Sequence, residues 1–117
     1  MNAIEKESRR KAIKMIAEGV KNIGSDCEAA ILYGSCARGD FTDESDIDVA
    51  ILTPLSYDGM SELYDALSEL ATTIGMETFQ VVNFSCIPSR DYYAKRAWYA
   101  YYQNICKEGK VLFGNSQ

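Results

Sequence analysis

The chain contains no histidine among its 117 residues. This absence excludes the sites that depend on an imidazole, namely serine and cysteine triads, histidine general bases and histidine-ligated metal centres. Any chemistry must therefore use carboxylates, hydroxyls, lysine or arginine side chains, or a bound metal ion.

Long apolar runs and an excess of basic residues are also missing. No apolar run approaches the roughly 18 residues of a membrane span, and residues 1–7 lack the apolar region of a signal peptide. We therefore expect a cytoplasmic protein. The formal net charge of −5 provides no basic field to attract nucleic acid. We expect no direct nucleic-acid binding, and we expect Arg9, Arg10 and Lys11 to form a solvated helix face.

Cysteines are few and scattered, at positions 27, 36, 86 and 106. None belongs to a C-x-x-C pair, and the uneven spacing is typical neither of a zinc site nor of a disulfide framework. We expect reduced thiols, most of them packed in the core.

The composition that is present is ordinary for a globular protein, with 47% hydrophobic and 25% charged residues. A chain of this length predicts one domain over residues 1–117. Hydrophobic periodicity predicts a helix over 3–20, strands over 29–33 and 49–52, and a second helix that begins at Ser56 or Asp58 and ends at Gly75.

The second half of the chain predicts a third strand over 77–87, a final helix over 89–107 and a short strand or packed tail over 111–113. The final helix has a predicted core stripe of Ala94, Trp98, Tyr101 and Ile105. Tyr92 and Tyr99 would then lie on another face, either as a partner surface or as a cover for the sheet edge. The order αββαβα predicts an α/β or α+β fold with helices packed on a small mixed sheet.

Residues 34–48 carry the most informative pattern of the chain. Gly34-Ser35 follows the first strand, and Asp46-Ile47-Asp48 opens the second after ten intervening residues. Strand alternation places Asp46 and Asp48 on one face, where two carboxylates repel each other unless a cation lies between them. Five carboxylates occupy nine positions here, a donor set suited to Mg²⁺: Asp40, Asp43, Glu44, Asp46 and Asp48.

The Gly34-Ser35 turn is suited to an anion. If residues 35–38 begin a helical turn, its free N–H groups and the Ser35 hydroxyl would face a phosphate, and Arg38 would neutralise it. The Walker and EF-hand patterns are both absent. The alternative is a polar turn followed by a strand with two solvent-facing acids.

Gly34-Ser35, ten residues and Asp46-Ile47-Asp48 resemble the G-S-x10-D-x-D signature of the DNA polymerase β-type nucleotidyltransferase superfamily. The wording G-S-x-A-R-G-D…S-D-I-D resembles its minimal nucleotidyltransferase branch, with a nucleotidyltransferase (polymerase β palm-like) fold. The resemblance implies that Asp46 and Asp48 hold two Mg²⁺ ions, and that Gly34 and Ser35 grip the β/γ-phosphates of ATP or another NTP. It also implies transfer of a nucleotidyl group with release of pyrophosphate.

The family has a third acid on the strand after the long second helix. In residues 76–83 the only carboxylate is Glu77, and Gln80 is the alternative occupant of that position. Glu77 is therefore the candidate third metal ligand. If Glu77 does not serve, the chain would bind nucleotide and turn over slowly or not at all.

The resemblance also implies a partner, a helical HEPN-class toxin encoded nearby in which a tyrosine accepts AMP, so that the chain acts as an antitoxin. Three hypotheses follow. The first is this adenylyltransferase, and the second is a protein of the same fold that binds and masks its partner without turnover. The third is a transferase acting on a small molecule, as aminoglycoside nucleotidyltransferases do, or on a nucleic-acid end.

Overall fold

The computed structural model describes residues 2–42 and 44–115. The mixed α/β fold predicted from the sequence is confirmed, and residues 111–113 belong to a fourth strand. In chain order the elements are α1 (Ala3–Ile23), β1 (Ala29–Tyr33), α2 (Ser35–Arg38), β2 (Ile47–Thr53), a 3₁₀ turn (Tyr57–Gly59), α3 (Ser61–Thr78), β3 (Val82–Pro88), α4 (Ser89–Lys95), α5 (Ala100–Glu108) and β4 (Lys110–Gly114).

The four strands form one mixed sheet in the order β3-β2-β1-β4. Strand β1 is antiparallel to both β2 and β4, whereas β2 and β3 are parallel. A parallel pair needs a crossover connection, and α3 provides it. The carboxyl end of β1 and the amino ends of β2 and β3 therefore meet at one edge of the sheet, where residues 34–48 connect β1 to β2.

One face of the sheet, here called the closed face, is covered by α1 and α3. The β2 residues Ile47, Val49 and Ile51 are completely buried on this face. The helices contribute the apolar stripes that their periodicity predicts. Their buried members are Ala12, Ile16 and Val20 of α1 and Leu63, Leu67 and Ile74 of α3.

The other face, here called the open face, is covered by α4 and α5. Its core contains Ala50 and Leu52 of β2 with Tyr92, Tyr102 and Ile105 from the two helices. None of the helices in the described ranges is long and apolar enough to cross a membrane.

The prediction of one continuous final helix is wrong. The chain leaves the helical path at residues 96–99, so α4 and α5 each turn their own side toward the sheet. Of the predicted stripe only Ile105 is buried, whereas Trp98 is 66% exposed and Tyr101 37% exposed. Tyr92, predicted to lie outside the core stripe, is completely buried; Tyr99 is exposed.

The predicted boundary between α3 and β3 is also wrong. Gly75 does not end the helix, which continues to Thr78. Phe79 closes it in the left-handed conformation (φ 60°), and its N–H donates to the Gly75 carbonyl. Strand β3 consequently begins at Val82, and Glu77 lies on a helix rather than at the edge of a strand.

All four cysteines are free, as predicted. Cys27, Cys36 and Cys86 are buried, and Cys106 is exposed. Burial raises the pKa of the Cys27 and Cys86 thiols to about 11. These thiols therefore pack as small apolar groups in their protonated form.

Candidate active site

Asp46 and Asp48 lie at the amino end of β2, on the open face. Because Ile47 and Val49 enter the closed face, strand alternation turns Asp48 to the opposite side. Asp46 is exposed and Asp48 is half-buried. The side-chain amide of Asn83 on β3 donates to Asp46 Oδ2 at 3.0 Å and to Asp48 Oδ1 at 3.5 Å. One amide group therefore contacts both carboxylates.

Gly34 lies directly against this pair. Its φ of +74° is in the left-handed region that favours glycine. A methyl group at this position would come within 2.8 Å of Asp48 Oδ2. The turn after β1 and the carboxylate on β2 therefore fit together only because residue 34 has no side chain.

The helical turn expected after Gly34 is present as α2. The N–H groups of Ala37 and Arg38 both donate to the Gly34 carbonyl at 3.1 Å. The N–H groups of Ser35 and Cys36 stand at the head of the turn, where a helix has no internal acceptors for them. Backbone donors and the half-buried Ser35 side chain therefore follow directly after the glycine that contacts Asp48.

Arg38 connects α2 to the last helix. Its guanidinium donates to Asp40 Oδ2 and to Glu108 Oε2, each at 3.2 Å. These hydrogen bonds, first that to Asp40, raise the pKa of Arg38. Arg38 is exposed, and its charge is shared with these two carboxylates.

Arg9 corrects the prediction of a solvated basic face at residues 9–11. Arg10 and Lys11 are exposed, but Arg9 is buried. Its guanidinium donates to the Ser45 carbonyl at 2.9 Å and to the Thr42 carbonyl at 3.1 Å. Arg9 therefore holds the loop that leads into Asp46, a role that its position in a run of basic residues did not indicate.

Arg9 also contacts α2 and the residues after it. One of its nitrogens donates to Cys36 Sγ at 3.1 Å, and its guanidinium lies 5.0 Å from the centre of the Phe41 ring. A single buried side chain of α1 thus joins both halves of the 34–48 segment.

The acidic segment does not gather around the aspartate pair as a whole. Asp40 pairs with Arg38, and Glu44 is exposed. Asp43 lies outside the described residues. Among the described carboxylates of this segment, Asp46 and Asp48 both accept from the Asn83 amide.

Glu77 is not brought to this site. Its carboxylate forms an ion pair with Lys11 Nζ at 3.7 Å, on the side of the molecule where α1 and α3 meet. Gln80 lies in the loop before β3, and its N–H donates to the Thr78 hydroxyl at 3.2 Å. Across residues 2–42 and 44–115, no three cysteine or acidic side chains are grouped to hold a metal ion.

Asn83 is the residue that sequence reasoning missed. The parallel register pairs it with Asp48, so the two side chains share the open face. The signal in the sequence was a polar residue between Val82 and Phe84, both of which pack toward the closed face. The position of Asn83 on the open face can be predicted only once β3 is known to begin at Val82.

Tyrosine side chains lie beside the Asp46–Asp48 pair. Tyr33 is opposite Asp48 in the β1–β2 register, and its hydroxyl lies 3.0 Å from that of Tyr101. Burial raises the pKa of Tyr33, which keeps the phenol neutral. Edge-to-face contacts continue from Tyr101 through Tyr99 to the exposed Trp98.

The donor set fits a hard divalent cation. Asp46 and Asp48, at the start of β2, are oxygen donors of the type that Mg²⁺ accepts, and Mg²⁺ takes its remaining ligands from water and substrate phosphates. The Asn83 amide turns its nitrogen toward these carboxylates. The described part of the chain offers this set two protein carboxylates rather than three.

The chain is similar in sequence to known proteins. The family described as polymerase beta, nucleotidyltransferase, matches residues 11–117. The Methanocaldococcus jannaschii protein named "Putative protein adenylyltransferase MJ0604" is 30% identical over 107 residues, which are 91% of this chain and 99% of that protein.

Solved structures share the fold. A crystal structure of a toxin–antitoxin with AMP-PNP matches with a TM-score of 0.60 and 21% identity, over 90% of this chain and 75% of that chain. A mutant of the toxin–antitoxin MntA-HpeT matches with a TM-score of 0.58 and 20% identity, over 87% and 73% of the two chains. With the aspartate pair, the glycine turn and this match over residues 11–117, the chain belongs to the polymerase beta nucleotidyltransferase family.

Proposed function

We propose that the chain transfers AMP from ATP to a hydroxyl group of a partner protein, and that the transfer requires Mg²⁺. The observation that carries the proposal is the contact between the Gly34 turn and Asp48, with Asp46 held beside it by the same amide. This contact supports the proposal because a turn suited to a phosphate lies beside carboxylates suited to a cation. The similarity to a protein named as an adenylyltransferase supports the choice of AMP.

Asp46 and Asp48 would be the protein ligands of Mg²⁺, for which the resemblance implies two ions. Bound Mg²⁺ would neutralise phosphate oxygens and make the acceptor hydroxyl easier to deprotonate. We propose that a carboxylate of the site or a water molecule receives the proton that the acceptor loses, since this chain has no histidine for that role.

The turn after β1 would hold the nucleotide. The Ser35 hydroxyl and the N–H groups at the head of α2 would donate to the terminal phosphates. Gly34 allows the phosphates to approach the backbone while Asp48 stays in place. Arg38, which also pairs with Asp40 and Glu108, would add a positive charge. Together these groups would orient the α-phosphate toward the acceptor, which is the main contribution of a protein to phosphoryl-type transfer.

The acceptor would be a tyrosine of a HEPN-class helical protein, silenced by the modification, so that this chain serves as its antitoxin. Support comes from the motif resemblance and from the relative named as a protein adenylyltransferase. Toxin–antitoxin complexes are also among the solved structures that share the fold.

Transfer can be tested by following labelled phosphate. The chain is purified with the helical protein encoded beside it and mixed with Mg²⁺ and each NTP labelled on the α-phosphate. We expect label on a tyrosine of the partner, with ATP preferred. Asp46→Asn and Asp48→Asn should lower the rate about a hundredfold or more, whereas Asp65→Asn, an exposed site on α3, should not change it. Equal labelling by all variants would contradict the proposal.

A second candidate function is masking of the partner without turnover. The observation that favours it is Asn83, a neutral residue beside the pair where a third carboxylate would complete the metal site. A stable complex that neutralises the partner without label from any NTP would establish this function instead.

A further inference from the structure

We propose that Asn83 is the third member of the Asp46–Asp48 site and acts as its positioning residue. Its amide holds the two carboxylates together while no cation is bound, and its neutrality limits how tightly the site binds one. The inference rests on the proposed function, because it takes the two carboxylates as the cation site.

The position of Asn83 follows from strand pairing. Asp48 and Asn83 are register partners in the parallel β2–β3 pair, and neighbouring strands lie about 4.8 Å apart. Val82 and Cys86 enter the core of the closed face, and Ile87 enters that of the open face. Alternation therefore turns Asn83 toward the open face beside Asp48.

The charges at the site explain the orientation of the amide. Two ionised carboxylates this close repel each other. The Asn83 amide donates one contact of 3.0 Å and one of 3.5 Å, so both carboxylates face a partial positive charge. With its oxygen turned to the pair, the same side chain would add to the repulsion.

A cation would compete with this arrangement. It would occupy the region that the carboxylate oxygens share with the amide hydrogens, which repel it. The Asn83 side chain must then turn its amide oxygen inward, and that oxygen is a weaker ligand than a carboxylate. The gap at the third position is not filled from elsewhere in the described ranges, since Glu77 pairs with Lys11.

Replacing the amide by a carboxylate separates these two effects. Asn83→Asp keeps the shape of the side chain, removes the donors and adds a negative charge. We expect Mn²⁺ to bind this variant about tenfold more tightly than it binds the unchanged protein. We expect the metal-free variant to unfold at a Tm lower by about 4 °C. A gain in Mn²⁺ affinity larger than the one produced by the same charge change elsewhere on the surface would show that residue 83 lies at the cation site.

The experiment uses the full chain without nucleotide or partner. Free Mn²⁺ is titrated by electron paramagnetic resonance, and thermal unfolding is recorded in EDTA. The matched control is Asn104→Asp, which makes the same change in charge at an exposed position of α5. We expect the control to alter neither the Mn²⁺ affinity nor the Tm appreciably.

The outcomes are decisive in each direction. Mn²⁺ affinity no higher in Asn83→Asp than in Asn104→Asp would overturn the proposal, as would an unchanged Tm without metal. Asn83→Ala covers the case in which the aspartate variant fails to fold, because it removes the donors without adding a carboxylate and should therefore lower the metal-free Tm. An Asn83→Ala protein as stable as the unchanged one would overturn the holding role. Neither measurement involves transfer, so failure of the proposed function would be seen separately in the labelling experiment.

Discussion

The two faces of strand β2 differ at its amino end. In β2, Ile47, Val49 and Ile51 point into the closed face and are completely buried. Asp48 lies between them in the sequence and points to the open face, beside Asn83 and Gly34. A shift of one residue along the strand would exchange the two sets of side chains.

The helices that cover the two faces differ in length. On the closed face, α1 and α3 are long helices of 21 and 18 residues. On the open face, α4 and α5 have 7 and 9 residues and cover the Leu52–Ile87 end of the sheet. The amino end of β2 is thereby left accessible, and polar groups there need no apolar covering.

Arg9 connects the closed face to the 34–48 segment, and its removal should have the largest effect on stability. Arg9→Met would leave the Thr42 and Ser45 carbonyls without their charged donor. We expect the free energy of unfolding to fall by about 3 kcal/mol, measured by urea denaturation.

Arg10→Met is the matched control for Arg9→Met. Arg10 is exposed and pairs with Glu7 on the surface, so its loss should change stability by no more than about 0.5 kcal/mol. Equal effects of the two substitutions would mean that Arg9 does not anchor the loop.

Gly34→Ala tests the fit between the turn and Asp48 on the open face. It should cost about 1–2 kcal/mol because alanine disfavours the positive φ. It should also lower transfer by about a hundredfold, because the new methyl group displaces the carboxylate.

Gly39→Ala is the control that distinguishes backbone strain from displacement of the Asp48 carboxylate. Gly39 has a φ of +86° and open space where a side chain would lie, so its substitution should also lower stability but cause little loss of transfer. The measurements are urea denaturation and the initial rate of label transfer. An equal loss of transfer in both variants would contradict the close fit at Asp48.

The buried thiols of the closed face predict an effect on stability that appears only at high pH. The folded state keeps Cys27 and Cys86 protonated up to a pKa of about 11, compared with an ordinary value of 9.0. The unfolded chain therefore releases these protons first, so their contribution is complete below about pH 9 and lost as pH rises to about 11. We expect a loss of about 2 kcal/mol for each thiol over this interval.

The pH effect is measured by urea denaturation in a pH series. Tyrosines titrate in the same range, so the double variant Cys27→Ala/Cys86→Ala serves as the control and should show a shallower decline. A decline of the same steepness in both proteins would exclude the two thiols as its source.

Prediction from the sequence succeeded where a short stretch of residues decides the structure. The apolar runs of β1 and β2, the helical turn after Gly34 and the stripes of α1 and α3 all follow from local periodicity. The predicted helix end at Gly75 and the predicted continuation of a helix through residues 96–99 were wrong. A helix ends where its last carbonyl groups find hydrogen-bond partners outside the regular pattern, and local periodicity does not show where that happens. At α3 that partner is the N–H of Phe79, in a conformation uncommon for such a residue.

The order of residues was enough to place Gly34, Ser35, Asp46 and Asp48 in one motif, because they lie on a turn and a strand that are adjacent in the chain. The tertiary structure alone decided which distant residues meet them. Asn83 reaches the pair through the register of two parallel strands, and Arg9 reaches the loop through the packing of α1. Such contacts depend on the spatial arrangement of whole elements, which no local pattern encodes.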